Sequence, residues 1–129
     1  MLTRLSKVVS FPIALLLFTI IAYGLLAPTL GFYWDDWPMI WFAHALGAEG
    51  IMEVLSVDRP FLAGVYLVTT TLLKSLPFQW QVLAILSRWL SGIALWWSMR
   101  QLWPERRPQV DWIALLFTLY PGFKQQPIA

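Results

Sequence analysis

The chain has 129 residues, of which 59% are hydrophobic and 12% charged, with the apolar residues gathered in long runs; this excludes an ordinary water-soluble domain and describes an integral membrane protein. It contains no cysteine, which excludes disulfides, thiolate nucleophiles and cysteine-rich zinc sites. The formal net charge is +2 and the basic residues flank apolar runs without clustering among exposed aromatics, so no nucleic-acid partner is expected.

The first predicted element is a span over Val8–Leu30, residues 8–30. It carries only the hydroxyls of Ser10, Thr19 and Thr29 and nothing ionisable. Roughly 23 residues at about 1.5 Å each cross a hydrocarbon core of about 30 Å. Pro12 falls in its first turns, where a missing N–H costs little. A signal peptide is the competing reading of this basic start. The apolar stretch is too long for one, and no small-x-small cleavage site precedes the acidic loop, so an uncleaved anchor is preferred. Arg4 and Lys7 then put the N-terminus in the cytoplasm and the segment after Leu30 outside.

Residues 31–60 form the expected external loop. It holds Asp35, Asp36, His44, Glu49, Glu53, Asp58 and Arg59 among Trp34, Trp37, Trp41 and Phe42. Trp favours the headgroup layer, since its ring is apolar and its N–H needs a wet partner. Trp37 to Ala48 is expected to be a short helix lying along the membrane, capped by Asp35 or Asp36 and broken by Gly47 and Gly50. A second short helix is expected from Glu49 or Gly50 to Val57.

Residues 61–75 are a second apolar run, shorter than a standard span, followed by the turn Ser75-Leu76-Pro77. Residues 79–102 form a third span, interrupted by Arg88. The segment Trp103-Pro104-Glu105-Arg106-Arg107-Pro108 is a loop, and residues 110–129 begin a fourth span that Pro121-Gly122 interrupts. The fold class is therefore all-α: a multi-span helical membrane protein of about four hydrophobic segments, with amphipathic juxtamembrane helices in its first external loop. The abrupt ending suggests the N-terminal piece of a larger protein. One conflict is visible. Counting spans from a cytoplasmic N-terminus puts the basic Arg100–Arg107 loop outside, whereas such loops favour the inside. Either residues 61–75 do not fully cross, or the loop is an exception.

Four residues carry the candidate chemistry. An Asp35 or Asp36 carboxylate at the membrane face suits a general base taking a proton from an attacking hydroxyl or amine. Its partner would orient the acceptor or bind a divalent cation through oxygen. The plain alternative is a solvated loop that merely follows a span. Arg59, before Pro60, suits a lipid phosphate, because a guanidinium offers two parallel charge-assisted donors. Its alternative is a side chain snorkelling to headgroups. Arg88 lies inside an apolar span and should face protein, pairing with a substrate phosphate or with an acid on another helix. His44, Glu49 and Glu53 read as surface residues, and one histidine makes no metal site. Trp80, Trp96 and Trp97 read as packing and belt residues in preference to a sugar platform.

The order of these features resembles the N-terminal module of the GT-C glycosyltransferases, within them most closely the protein O-mannosyltransferase and aminoarabinose–lipid A transferase group. The resemblance rests on a basic start, one long span, Asp35-Asp36 at its outer end, amphipathic segments, Arg59-Pro60 opening the second span, Arg88 in the third and a short basic loop. It covers nearly the whole chain through order and spacing. The family's acidic pair is usually Asp-Glu and its second span opens on Lys-Pro or His-Pro-Pro, so both motifs match loosely here. The resemblance implies a polyprenyl-phosphate-linked sugar as donor, Asp35 as catalytic base with Asp36 beside it, and Arg59 and Arg88 as substrate-binding residues. It implies direct displacement at the anomeric carbon with inversion, and no obligatory cofactor, although a divalent cation is compatible. It leaves the sugar and acceptor unnamed. The expected setting is a bacterial-type inner or plasma membrane, crossed several times. A site of this family is closed by later spans, so residues 1–129 alone are expected to be inactive. Two readings from other classes stand beside it: part of a transporter or flippase with Arg88 and Asp35 lining a pathway, and a non-catalytic accessory membrane protein.

Overall fold

The computed structural model describes the backbone of residues 2–32, 36–57, 59–73 and 76–120, with side chains for these from Phe11 onward except at Asp36 and Ala48. Among the described residues the chain is helical throughout, without strands. Helix α1 spans Leu2–Thr19 and runs on into a π-helical turn, Ile20–Gly24. Then come α2 (Asp36–Ser56), α3 (Pro60–Leu73), α4 (Pro77–Leu102) and α5 (Arg107–Leu119). The chain divides into two compact units, one of Met1–Pro28 with Val82–Ala129 and the other of Thr29–Gln81.

One helix among the described residues, α4, is long and apolar enough to cross a membrane. Of its residues only Gly92 and Trp96 are buried, and Leu86, Leu90, Trp97 and Leu102 lie exposed. The core helix of a water-soluble protein would bury most of its apolar side chains, whereas lipid accepts them outside. Of the several spans expected from the sequence, length and composition support this one among the described residues. Helix α3, at 14 residues, is about 21 Å long, well short of a hydrocarbon core.

In the first unit α1, α4 and α5 pack side by side. Phe11 stacks on Trp96 with ring centroids 5.1 Å apart, and Gly24 lies near Ile85 at the other end. Helix α1 is therefore antiparallel to α4. So is α5: Val110 and Ala114 pack with Trp96, and Thr118 lies against Gly92. Helix α1 starts earlier than the apolar pattern suggests, because nothing in Leu2–Lys7 breaks it, and Pro12 consequently lies in its interior. It also stops earlier. Past Gly24 only a turn forms, with Ala27 N–H donating to the Gly24 carbonyl at 3.2 Å, since the backbone before Pro28 is steered away from the helical region.

The second unit is built on α2 and α3. Gly47 breaks α2 in its middle at φ 70°, ψ −167°, where a left-handed φ favours glycine. The predicted break is therefore real and sits at Gly47, while Gly50 is buried within the second half. The two halves of α2 share one core. Met39, Phe42 and Ala43 from the first half pack with Ile51 and Leu55 from the second and with Ala63 and Tyr66 of α3. Tyr66 in turn stacks on Trp80 at 6.1 Å.

The tightest helix approach is at Gly92. A Cβ there would collide with the Thr118 hydroxyl of α5 and come within 3.1 Å of Leu15 Cδ2 of α1. Small residues let helix backbones close in this way in membrane proteins. Gly92→Val should lower unfolding stability by about 1–3 kcal/mol, the usual cost of overpacking. Denaturant titration in detergent, read by loss of helical signal, checks this.

Candidate functional site

The four predicted site residues divide between the two units. Asp35 lies outside the described residues, as do the expected acidic cap of the first short helix and the Pro121-Gly122 interruption. Asp36 opens α2, with only its backbone described. Its successor in the first turn is Trp37-Pro38, which suits a helix start because the N–H lost at proline has no intrahelical partner there.

Arg59 occupies the joint between α2 and α3. Its N–H donates to the Leu55 carbonyl at 2.7 Å, closing the last turn of α2. Its own carbonyl accepts from Ala63 N–H at 3.1 Å, which makes it the residue that opens α3, with Pro60 first in the helix. The side chain is exposed at a helix N-terminus, where unpaired N–H groups and the helix dipole favour anions. Asp36 and Arg59 share one structural support. Asp36 is three residues before Met39 and Arg59 four before Ala63, and both of those side chains belong to the same apolar cluster.

Arg88 of α4, in the other unit, is engaged by the protein itself. Its Nε donates to the Thr118 carbonyl at 2.7 Å, and Nη2 donates to the Tyr120 carbonyl. The guanidinium carbon lies 4.5 Å from the centre of the Tyr23 ring, and the Tyr23 hydroxyl donates to the Leu119 carbonyl at 2.8 Å. Three successive carbonyls at the end of α5 are thus satisfied from outside their own helix. A helix end leaves such carbonyls without intrahelical partners and carries partial negative charge, so a cation is the natural cap. Tyr120, extended at φ −64° and ψ 125° ahead of Pro121, ends the helix there. The π-helical turn supplies Tyr23, and the extra residue of a π turn re-aims side chains beyond it. The sequence offered a phosphate or a carboxylate as partner for Arg88; backbone carbonyls occupy it here.

A second polar cluster was missed in the sequence. Asp111 of α5 accepts from Trp96 Nε1 at 2.6 Å and pairs with Arg100 Nη2 at 2.9 Å, both through Oδ1. The Arg100 guanidinium also lies 4.2 Å from the Trp96 ring centre, and its buried Nε has no partner. Asp111 is the only acid in the apolar run 110–120, which was the available signal. Trp96 is the packing residue expected, whereas its neighbour Trp97 is exposed. His44, Glu49 and Glu53 are exposed, as read from the sequence. Among the described residues, no three His, Asp or Glu side chains converge as metal ligands would.

Against this geometry, comparison of the chain with known protein families, with curated proteins and with solved structures finds no match.

Arg88→Ala should cost stability, about 1.5–3 kcal/mol for lost charge-assisted hydrogen bonds. Arg88→Lys should recover part of it, keeping the charge and losing the fork. Thermal unfolding in detergent checks both. Asp111→Leu alone should destabilise by leaving Arg100 half-buried without its carboxylate, and Arg100→Met in the same chain should restore much of the loss. The same unfolding measurement on both single variants and the double variant reads that coupling.

Proposed function

We propose that the protein is a multi-pass membrane glycosyltransferase that moves a sugar from a polyprenyl-phosphate donor to an acceptor at the extracytoplasmic face. Asp35 acts as general base, Asp36 orients the acceptor, and Arg59 holds the donor phosphate. The acceptor's nucleophilic oxygen or nitrogen loses its proton to Asp35 and bonds to the anomeric carbon. The bond from that carbon to the phosphate oxygen breaks on the opposite side, so configuration inverts and the lipid phosphate leaves with the electron pair. No covalent intermediate on the protein is required.

The observation that carries this reading is the common support of Asp36 and Arg59. Both sit within about one helical turn of the cluster formed by Met39, Ile51, Leu55 and Ala63, an acid position and a cation position held by one small core. Exposed Trp37 and Trp41 suit a headgroup setting, where a lipid-borne substrate presents its phosphate. Arg88 is given a different part from the one the family resemblance implies. Its contacts with Tyr23, Thr118 and Tyr120 favour a structural cation that closes α5.

Asp35→Asn should lower the transfer rate by roughly 10²–10⁴, because the amide keeps the shape and loses the base, with donor affinity nearly unchanged. Arg59→Ala should instead weaken donor binding by about 1.5–3 kcal/mol, an order of magnitude or more in affinity, and Arg59→Lys should recover part of that. Transfer kinetics with varied lipid donor in the full natural protein, beside direct donor binding, separate the two effects. Normal turnover by Asp35→Asn would remove the proposed base.

A further inference from the structure

We infer that α3 does not cross the membrane, and that the α2–α3 segment is an interfacial hairpin whose apolar face is covered by lipid of the outer leaflet. The inference rests on the membrane reading above and is independent of the chemistry proposed there.

It starts from the first unit alone. Helix α1 and α4 are antiparallel, with Phe11 stacked on Trp96, the Pro12 carbonyl accepting from Trp89 Nε1 at 2.9 Å, and Gly24 near Ile85. With α1, continued by its π-helical turn to Gly24, taken as the span expected from the sequence and α4 as the other, the antiparallel pair enters and leaves on opposite faces. The chain between Gly24 and Val82 therefore makes no net crossing. Helix α3 is the one apolar helix in that stretch proposed from sequence as a span, and at 14 residues it reaches about 21 Å of the 30 Å needed. A single crossing there would force α1 and α4 to be parallel.

The charge pattern agrees. With α1 and α4 antiparallel, the α1 start, which carries Arg4 and Lys7, lies at the same end of the bundle as the Arg100–Arg107 loop. All these basic residues then share one face, and the conflict with the positive-inside tendency disappears. The hairpin's exposed residues include Trp37, Trp41, Phe61, Val68 and Leu72, too apolar for water and with the indoles suited to headgroups. Lipid is the occupant that chain connectivity offers: both ends of the hairpin continue into helices of the membrane bundle.

The absence of native cysteine makes the test direct. Ser56→Cys, Gln79→Cys and Glu105→Cys are made singly in the full-length protein, at polar positions that are exposed. Intact cells are treated with a membrane-impermeant maleimide, with and without permeabilisation. The expected pattern is labelling at 56 and 79 in intact cells, and at 105 only after permeabilisation. Labelling at 56 and 105 in intact cells, with 79 protected, would show that α3 crosses and overturn the inference. Recovery of the protein in the soluble fraction would overturn it too, by removing the membrane reading beneath it; loss of sugar transfer alone leaves the labelling pattern as expected.

Discussion

A guanidinium among apolar helices has to be met by the protein, and how Arg88 is met sets the arrangement of the first unit. Its charge reaches three elements at once: the helix that carries it, the Tyr23 ring in the π-helical turn after α1 and the last carbonyls of α5. Leaving that charge unpartnered in hydrocarbon is costly, by about 2.5 kcal/mol even on permissive scales. Helix-end carbonyls without donors are costly in any apolar setting for the same reason. One contact removes both penalties. It also demands that the end of α5 lie beside the first half of α4, which the antiparallel packing provides.

The rest of the unit follows the same economy of polar groups. At the other end of the bundle, Asp111 takes the Trp96 indole N–H and one edge of Arg100, so a charge pair and an indole satisfy each other where α5 begins. Between the two polar ends the contact is made by small groups. Gly92 lets Thr118 and Leu15 close in, and the buried hydroxyls of Thr19 and Thr118 bond back to the carbonyls of Leu15 and Ala114 at 2.7 and 2.8 Å. Hydroxyls satisfied within their own helix ask nothing of a neighbour, which leaves that surface free for close packing.

Much of this was open to reading in the residues themselves. Helix positions followed from apolar runs and from Gly and Pro: the break at Gly47, the start of α3 at Pro60 and the end of α5 before Pro121 are local effects of backbone chemistry. Helix ends against prolines were less sharp, as the early stop of the first helix near Gly24 shows. The partner of Arg88 was hidden, since a carbonyl acceptor belongs to every residue and leaves no mark in composition. Asp111 was hidden by distance: Arg100 is eleven residues away across a loop, and only the antiparallel turn brings them together. The direction of α1 relative to α4 was equally invisible, though the conflict over the basic loop pointed to it. Of the candidate site, Arg59 was placed at the head of α3 by its proline and Asp36 opens α2, while Asp35 lies outside the described residues.

The picture that results separates two tasks. Arg88 and Arg100 hold helices of the first unit, while Asp36 and Arg59, the positions proposed for chemistry, flank the α2–α3 core. The first unit turns on the antiparallel course of α1 and α4, which brings Tyr23 to Arg88, and the inference about α3 rests on the same course. Spin labels placed at the exposed positions Ile13, Val82 and Trp97 measure that course by pairwise distance. Val82 and Trp97 are about 22 Å apart along α4. The antiparallel bundle, in which Phe11 stacks on Trp96 and Gly24 lies near Ile85, predicts a 13–97 distance clearly shorter than the 13–82 distance; a 13–82 distance shorter than the 13–97 distance would contradict it.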